Sequence, residues 1–144
     1  MGMERKILLL FDSMDIRDEV VRFAMTLAAR MGAGVIMLLL IRSQFETDGA
    51  AGTDAQRIQA LYAGGEAAMK PWLQAMALED VPATGILRVG EPASELLKFL
   101  AEGHDFDTVV WGGDKKILGE RRPRLGEHWM ARIMDKLGRP MVAP

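Results

Sequence analysis

The sequence predicts a single α/β domain over residues 1–144, built on an open five-stranded parallel sheet with helices on both faces. Short continuous apolar runs, typical of strands buried on both faces, alternate with stretches whose apolar residues recur at helical spacing. The turns between them are short, as in sheets whose strands are joined by crossover helices. A chain of 144 residues that is 49% hydrophobic and 26% charged has the composition of one globular domain with a full core.

The N-terminal part of the chain predicts a strand, a helix and a second strand. Lys6 to Phe11 is the first buried strand. Asp15 is a good N-cap for an amphipathic helix that starts at Ile16 and stops at Gly32. Val35 to Ile41 is the second buried strand, and the polar, glycine-containing segment after it indicates a flexible connection.

The middle of the chain predicts a long second helix. Thr53 and Gln56 have the spacing of a capping box, which indicates that the helix opens there and runs to about Met76. Gly64-Gly65 should weaken its middle, because glycine has a poor helix propensity. Pro71 should kink the helix or restart it, because proline lacks the amide hydrogen that the helix interior needs.

The C-terminal part predicts the remaining strands and helices. Thr84 to Val89 is the third strand, Pro92 is the first residue of a helix that ends at Gly103, and Asp107 to Trp111 is the fourth strand. The last helix has an apolar stripe formed by Met130, Ile133, Met134 and Leu137, and it is closed by Gly138. The final short strand follows at Met141 to Ala143.

Composition indicates which classes of partner and which cellular compartment we expect for this protein. A net charge of -2 gives no general attraction to nucleic acid or to an anionic membrane, and the apolar runs are far shorter than the ~18 to 20 residues of a transmembrane helix. We therefore expect no nucleic-acid partner and no membrane partner. The chain has no cysteine, which excludes disulfides and thiol chemistry and fits the reducing cytoplasm, where we expect the protein to act.

No catalytic or metal-ligating set stands out. His104 and His128 are the only histidines. Glu127 stands beside His128, but no third residue completes a metal-binding pattern, so we expect surface or capping roles for both histidines. Ser13, Ser43 and Ser94 lack the glycine pattern of a nucleophile elbow. We accordingly expect no catalytic residue and a protein that is not an enzyme.

Four short segments, taken in chain order, point to one family. They are the opening strand with its terminal aspartate at 6–12, the turn Val89-Gly-Glu-Pro-Ala-Ser94, the strand with its glycine at 107–112, and Arg139-Pro-Met-Val142. On these segments the chain resembles the universal stress protein family over essentially its whole length. The resemblance implies an adenine nucleotide alpha hydrolase-like fold with strand order 3-2-1-4-5. It also implies a homodimer in which the final strands of two chains pair.

The implied strand order predicts where a ligand would bind. Strands 1 and 4 become neighbours whose connections leave in opposite directions, so their C-terminal ends form a crevice of the kind that binds ligands in α/β sheets. Asp12 and Gly112 would face this crevice, and Asp12 keeps the position that contacts the base in nucleotide-binding members of the family. Ser13 follows Asp12 and is a candidate for the same crevice.

The phosphate-binding motif of nucleotide-binding members is altered in this chain. That motif runs glycine, two residues, glycine, nine residues, then glycine with serine or threonine. Gly112 fills the first place and Lys115 stands at the second glycine position. Counting nine residues further gives Leu125-Gly126 as the last pair, the nearest glycine gives Gly126-Glu127, and counting back from Pro140 gives Glu127-His128. No register supplies the hydroxyl, and a carboxylate at a helix N-terminus repels phosphate. We expect no cofactor, with ATP or ADP held in a non-standard way as the alternative.

Three local features have a second interpretation. Asp12 is either a ligand-binding carboxylate or a strand-end residue that caps the next turn. Gly112 and Gly113 either cradle a small anion or form a tight turn after a buried strand. The basic residues Lys115, Lys116, Arg121, Arg122 and Arg124 either bind an anion or an acidic partner, or form a solvated loop.

Three functions remain open from the sequence. The first is a non-catalytic regulatory or stress-response module that acts as a homodimer through contacts with an unidentified protein. The second is a nucleotide-binding switch with slow ATP hydrolysis, and the third is a small enzyme or carrier for another anionic ligand. For the dimer, we expect a short strand contact that ends at Pro144, supplemented by Trp129 or by methionines of the last helix.

Overall fold

A computed structural model describes residues 5–43, 54–114 and 129–144 and confirms the α/β fold class. Its five-stranded sheet has the order β3-β2-β1-β4-β5 with every neighbouring pair parallel, as the resemblance implied. The strands are β1 (Lys6–Phe11), β2 (Gly34–Arg42), β3 (Ala83–Gly90), β4 (Thr108–Trp111) and β5 (Met141–Val142). The bounds of β1 agree with the prediction, and the other strands differ from it by one residue at an end or both ends.

Four helical segments connect the strands within the described ranges. They are α1 (Asp18–Met31), α2 (Asp54–Leu78), α3 (Pro92–Ala101) and α4 (Trp129–Ile133), the last continuing as a 3₁₀ turn over Met134–Leu137. Helices α1 and α2 cover one face of the sheet, while α3, α4 and the 3₁₀ turn cover the other. None of these described helices has the length and apolar character that a membrane span requires.

Side-chain alternation along β1 divides the core between the two faces. Ile7, Leu9 and Phe11 pack beneath α1 and α2, whereas Leu8 and Leu10 pack against α3 and α4. All five side chains are buried, which explains why the strand has an uninterrupted apolar sequence. The central position of β1 brings its C-terminal end between β2 and β4.

The start of α1 differs from the prediction. The helix begins at Asp18 with Arg17 as its extended N-cap residue, so the prediction that Asp15 caps a helix from Ile16 is wrong. The Asp15 amide donates to the Ser13 hydroxyl at 3.2 Å, and the Ile16 amide donates to the carbonyl of Met14 at 3.0 Å. These bonds form a separate turn, which delays the helix by two residues.

Helix α2 continues through Pro71, so the restart predicted there is wrong. Met69 and Met76, on either side of the proline, are buried against the sheet, and this packing offsets the loss of one backbone hydrogen bond. Gly65 also has a packing role, because a Cβ there would come within 2.7 Å of the Leu87 side chain. The glycine lets α2 approach β3 closely. Thr53 of the predicted capping box lies outside the described residues.

The second half of the fold follows the prediction closely. Helix α3 starts at Pro92, and the Glu91 carboxylate caps it by accepting a hydrogen bond from the amide of Ala93 at 3.2 Å. Gly103 has a φ of +86°, which explains the glycine after the helix. Strand β5 is only two residues long, and it lies at the sheet edge beside β4.

Candidate functional site

Asp12 and Gly112 lie next to each other at the C-terminal edge of the sheet, as predicted. Each directly follows a central strand, and the parallel register pairs Leu10 of β1 with Trp111 of β4. A cavity of about 410 Å³ opens here, which we call the β4-side cavity. Its lining residues are Asp12, Ser13, Asp15, Arg17, Gly112, Gly113 and Asp114. The topological rule for α/β sheets therefore locates the crevice correctly in this chain.

The two glycines after β4 are required by close packing. Neither of these described glycines has a positive φ. A Cβ at Gly112 would overlap the Phe11 ring, and one at Gly113 would overlap the Trp111 indole. The Gly112 amide donates to the carbonyl of Leu10 at 2.8 Å, so this N–H belongs to the sheet and not to an anion cradle.

Arg17 is the residue at this crevice that the sequence analysis missed. Its guanidinium donates from one nitrogen to the carbonyl oxygens of Gly112, at 2.9 Å, and of Gly113, at 2.7 Å. The other terminal nitrogen lies 3.6 Å from the Glu19 carboxylate. Arg17 therefore ties the N-terminus of α1 to the segment that leaves β4. A lone arginine among charged residues carries no pattern that would have revealed this contact.

The Asp12 carboxylate is bonded to the first residue of α4. Trp129 donates its indole N–H to Asp12 Oδ2 at 3.1 Å, and Trp129 is only 4% exposed. The ring packs edge to face on Trp111 with centroids 6.0 Å apart, and the Trp111 indole donates to the carbonyl of Asp114 at 2.8 Å. Trp129 is buried within its own chain, so little of its side chain is exposed for the dimer contact that we expected of it; the dimer contact itself stays a prediction.

The β4-side cavity is mostly acidic. Three carboxylates, those of Asp12, Asp15 and Asp114, line it together with one guanidinium, that of Arg17. In the part of the chain that the structure describes, no three His, Cys, Asp or Glu side chains are grouped to hold a metal ion. The cavity therefore favours hydrogen-bond donors and disfavours a dense negative charge such as a polyphosphate.

A second cavity of about 650 Å³ lies on the other side of Asp12, and we call it the β2-side cavity. It is lined by Asp12, Ser13, Met14, Ile41, Arg42, Arg57, Ala60 and Leu61. The end of β1, the end of β2 and the first half of α2 thus form its walls. Asp12 and Ser13 are shared by the two cavities.

The structure brings together four of the predicted site residues, Asp12, Ser13, Gly112 and Gly113. The others, Lys115, Gly126 and Glu127, lie outside the described residues, as do the rest of the basic segment and His128. Sequence analysis missed Arg42 and Arg57 as well as Arg17. The position of Arg57 relative to Arg42 depends on how α2 packs on β2, which no local sequence pattern encodes.

His104 lies on the surface in a small polar cluster, as expected. Its ring stacks on Phe99 with centroids 4.1 Å apart, and its Nε2 lies 2.9 Å from Glu102 Oε1. Arg88 donates to the same oxygen at 2.7 Å. The hydrogen bonds from His104 and then Arg88 hold the pKa of the Glu102 carboxyl below its usual value.

Comparison with known proteins identifies one family. The model of the universal stress protein family matches residues 3–135, whereas no curated protein matches the chain. UspA from Lactobacillus plantarum is similar in structure, with a TM-score of 0.71, 16% identity and 99% of both chains covered.

Two other solved structures show the same fold. A universal stress family protein from Burkholderia pseudomallei has a TM-score of 0.70 at 16% identity, covering 100% of this chain and 98% of that one. A universal stress protein from Archaeoglobus fulgidus in complex with dAMP has a TM-score of 0.59 at 17% identity, covering 99% of this chain and 98% of that one.

Proposed function

This chain belongs to the universal stress protein family, and we propose that it acts there as a non-catalytic regulatory module without the usual ATP site. In this proposal it works as a cytoplasmic homodimer through contacts with another protein. It carries no catalytic residue and needs no cofactor.

One observation carries this proposal: several polar groups of the β4-side cavity are already bonded to other groups of this chain. Arg17 engages the carbonyl oxygens of Gly112 and Gly113, and Trp129 engages the Asp12 carboxylate. A nucleotide that needed the same acceptor positions would have to compete with those bonds. Breaking a hydrogen bond to a charged group costs about 1.5–3 kcal/mol, which lowers the net affinity for a competitor.

The charge of the cavity supports the same proposal. Asp12, Asp15 and Asp114 surround the space beside Gly112, with Arg17 as the one basic residue among the described lining residues. A triphosphate in this space would lie near three carboxylates. The repulsion acts in addition to the missing hydroxyl of the phosphate-binding motif, so both features disfavour ATP.

The proposed test is native mass spectrometry of the freshly purified protein, followed by titration with ATP. We expect a ligand-free dimer of twice the 15.9 kDa chain mass and no saturable ATP adduct below millimolar concentration. Single-turnover measurement of phosphate release should show no rate above that of buffer. A stoichiometric ATP or ADP adduct would refute the proposed loss of the nucleotide site.

The open edge of the sheet at β5 supports the homodimer. Val109 of β4 donates to the carbonyl of Pro140 at 2.9 Å, so the alternate residues Met141 and Ala143 direct their amides away from β4. Replacing Ala143 with Pro should weaken the dimer by removing one outward donor, while Ala143→Ser should leave it intact. Light scattering coupled to size exclusion measures both. Equal dimer fractions in the two variants would argue for another interface.

A nucleotide-binding or anion-binding switch is the second candidate. Asp12 is half-buried where the two cavities meet, and the similar Archaeoglobus fulgidus protein was crystallised with dAMP. If ATP does bind, Asp12→Ala should weaken binding at least tenfold, whereas Asp105→Ala, an exposed carboxylate before β4, should not. Equal affinities of the two variants would remove Asp12 from the site.

A further inference from the structure

We infer that a separate cavity, at the edge of the sheet opposite Asp12, binds a compact zwitterion that carries an ammonium group and a carboxylate at the two ends of a small apolar body. This cavity lies where β1, β2 and β3 begin, and its volume is about 710 Å³. We call it the N-terminal-edge cavity. The inference goes beyond the proposed function, because it assigns a ligand to a part of the molecule that includes neither the crevice at Asp12 nor the β5 edge.

Small, buried side chains give the cavity an apolar lining. Ala28 of α1, Ala33 and Val35 at the start of β2, and Val81 before β3 all line it, and none is more than 4% exposed. All four belong to the core between the sheet and helices α1 and α2. The volume of the cavity lies within the range of about 300–1,000 Å³ that is typical of small-molecule sites. A body of one ring would therefore find apolar contacts there without opening the core.

The charged lining residues are separated by sign. Arg5 and Lys6 stand at the start of β1, whereas Glu79 and Asp80 lie in the turn between α2 and β3. Strand β2 lies between β1 and β3, so two strand spacings, or about 10 Å, separate the backbones of the two groups. Within the described ranges, no ion pair joins these two cations to these two carboxylates. A ligand with opposite charges at its two ends matches this arrangement.

The two carboxylates stand where helix electrostatics disfavours them. Helix α2 ends at Leu78, and its last turn contains no basic residue. The C-terminal end of a helix carries a partial negative charge, which favours a cation nearby, yet Glu79 and Asp80 follow at once. Helix α1 ends beside the same cavity, since Gly32 after its last residue is part of the lining. An ammonium group bound here would interact favourably with both helix ends and with the carboxylates.

Asp80 also has an unfavourable backbone conformation. Its φ of +58° is the one positive value at a non-glycine residue in the described ranges. The Asp80 amide donates to the carbonyl of Ala77 at 3.1 Å and the Val81 amide to that of Met76 at 2.9 Å, a helix-ending pattern in which this position is usually glycine. The end of α1 has Gly32 there, with a φ of +64°. The aspartate therefore costs stability that a glycine would not, as at sites where a side chain serves a ligand.

The orientation of the ligand follows from the neighbours of each charge. Glu79 also lines an adjoining cavity of about 450 Å³ together with Arg22 and Arg30, so two guanidinium groups lie near it. Asp80 does not line that adjoining cavity, and its carboxylate is the main partner for the ammonium group. Arg5 and Lys6 donate charge-assisted hydrogen bonds to the carboxylate at the other end. The ligand thus lies across the start of β2, with its positive end towards β3.

The experiment titrates 4-(aminomethyl)benzoate, which carries an ammonium group and a carboxylate at opposite ends of one ring, into the full chain and follows the backbone amides by NMR. We expect one saturable site per chain, with shifts at Gly32, Gly34 and Val81. Benzylamine and 4-methylbenzoate each keep one of the two charges on the same ring, and we expect each to bind at least tenfold more weakly. Equal affinities of the three compounds, or no saturable binding of the zwitterion at millimolar concentration, would overturn the inference.

The variant Asp80→Gly separates loss of the site from loss of the fold. Glycine adopts a positive φ without strain, so we expect a higher melting temperature together with a dissociation constant for the zwitterion raised at least tenfold. The double variant Arg5→Gln/Lys6→Gln should weaken binding by a similar factor. Glu66→Gln and Arg132→Gln, which remove exposed charges elsewhere, are the controls. Wild-type affinity in Asp80→Gly, or equal losses in the controls, would contradict the assigned site.

Discussion

The two cavities that meet at Asp12 differ in what their walls do. The β4-side cavity has a rigid wall, in which Arg17 and Trp129 bond to backbone carbonyls and to the shared carboxylate. The β2-side cavity is lined by apolar side chains, Met14 among them, and by the two arginines Arg42 and Arg57. A sheet edge of one topology can therefore carry one cavity whose polar groups are partly bonded within the protein and another that is lined by apolar side chains and two arginines.

The difference follows from the distribution of hydrogen-bonding groups. Where side chains of the protein satisfy the polar groups of a cavity, a ligand gains only the difference between its own bonds and those that it replaces. Where a cavity is lined by apolar side chains with charged groups beside them, a ligand gains free energy from burying its apolar surface and from pairing with those charges. Affinity at this edge should therefore depend on which side of Asp12 a ligand uses.

The largest effect should come from adding one methyl group at a glycine that contacts a lining residue or lines a cavity, Gly64 beside Met14 or Gly112 beside Phe11. Gly112→Ala should destabilise the fold by about 1–3 kcal/mol or more, because its Cβ would overlap the Phe11 ring of a buried strand. Gly64→Ala should be neutral or stabilising, since the flexible end of Met14 can move and alanine gains about 1 kcal/mol of helix propensity. Urea denaturation measures both. Similar losses in the two variants would show that the flexible end of Met14 gives way no more easily than the Phe11 ring does.

Removing the Arg17 guanidinium should have the next largest effect. Arg17→Gln should lower the free energy of unfolding by about 1.5–3 kcal/mol, because it loses charge-assisted bonds to the carbonyls of Gly112 and Gly113. Arg22→Gln on the same helix is the control, as its exposed ion pair with Asp18 is worth only about 0.3–0.5 kcal/mol. If the two variants unfold alike, Arg17 does not brace the β4-side cavity.

The bond between Trp129 and Asp12 should contribute less. Trp129→Phe removes the indole N–H and leaves a smaller ring, so we expect to lose about 1.5 kcal/mol for the hydrogen bond to the carboxylate, in addition to the packing of the missing ring atoms. A double-mutant cycle with Asp12→Asn isolates the pairwise coupling from the other contacts of either residue. A coupling energy near zero would mean that the indole does not hold the shared carboxylate.

The smallest effect should come from Glu102, which belongs to neither cavity. Its pKa is lowered by His104 and Arg88, so its contribution to stability is present above the unfolded-state value of 4.5 and is lost as the pH falls below it. Glu102→Gln should thus reduce stability at neutral pH and flatten the acid limb of the stability profile. Denaturation between pH 7 and pH 3 tests this, with the exposed Glu66→Gln as control. Parallel profiles for Glu102→Gln and the wild type would refute it.

The sequence correctly predicted the elements that are defined by the burial of their own apolar residues or by their order in the chain. The apolar run of β1 is continuous because both of its faces are covered, and its bounds were correct. The neighbouring positions of Asp12 and Gly112 followed from the strand order that the resemblance implied. These features depend on burial and connectivity, both of which leave a pattern in the sequence.

The contacts that shape the site left no such pattern. Arg17 bonds to carbonyls 95 and 96 residues away, and Trp129 reaches a carboxylate 117 residues away. The error at Asp15 had a different origin, because the bond that places this favourable N-cap residue in a turn is local, from its amide to the Ser13 hydroxyl. Residue type alone could not show which of several local bonds the tertiary structure would select.

The edge-to-face pair of Trp111 and Trp129 has an optical consequence. Two indoles with centroids 6.0 Å apart exchange electronic excitation, so the pair should add an exciton couplet to the far-ultraviolet circular dichroism spectrum. Because Trp129 is bonded to Asp12, we expect a ligand that captures this carboxylate to change the environment of one chromophore and with it the couplet. The tryptophan pair thus offers an optical test of ligand binding at this crevice that needs no attached label.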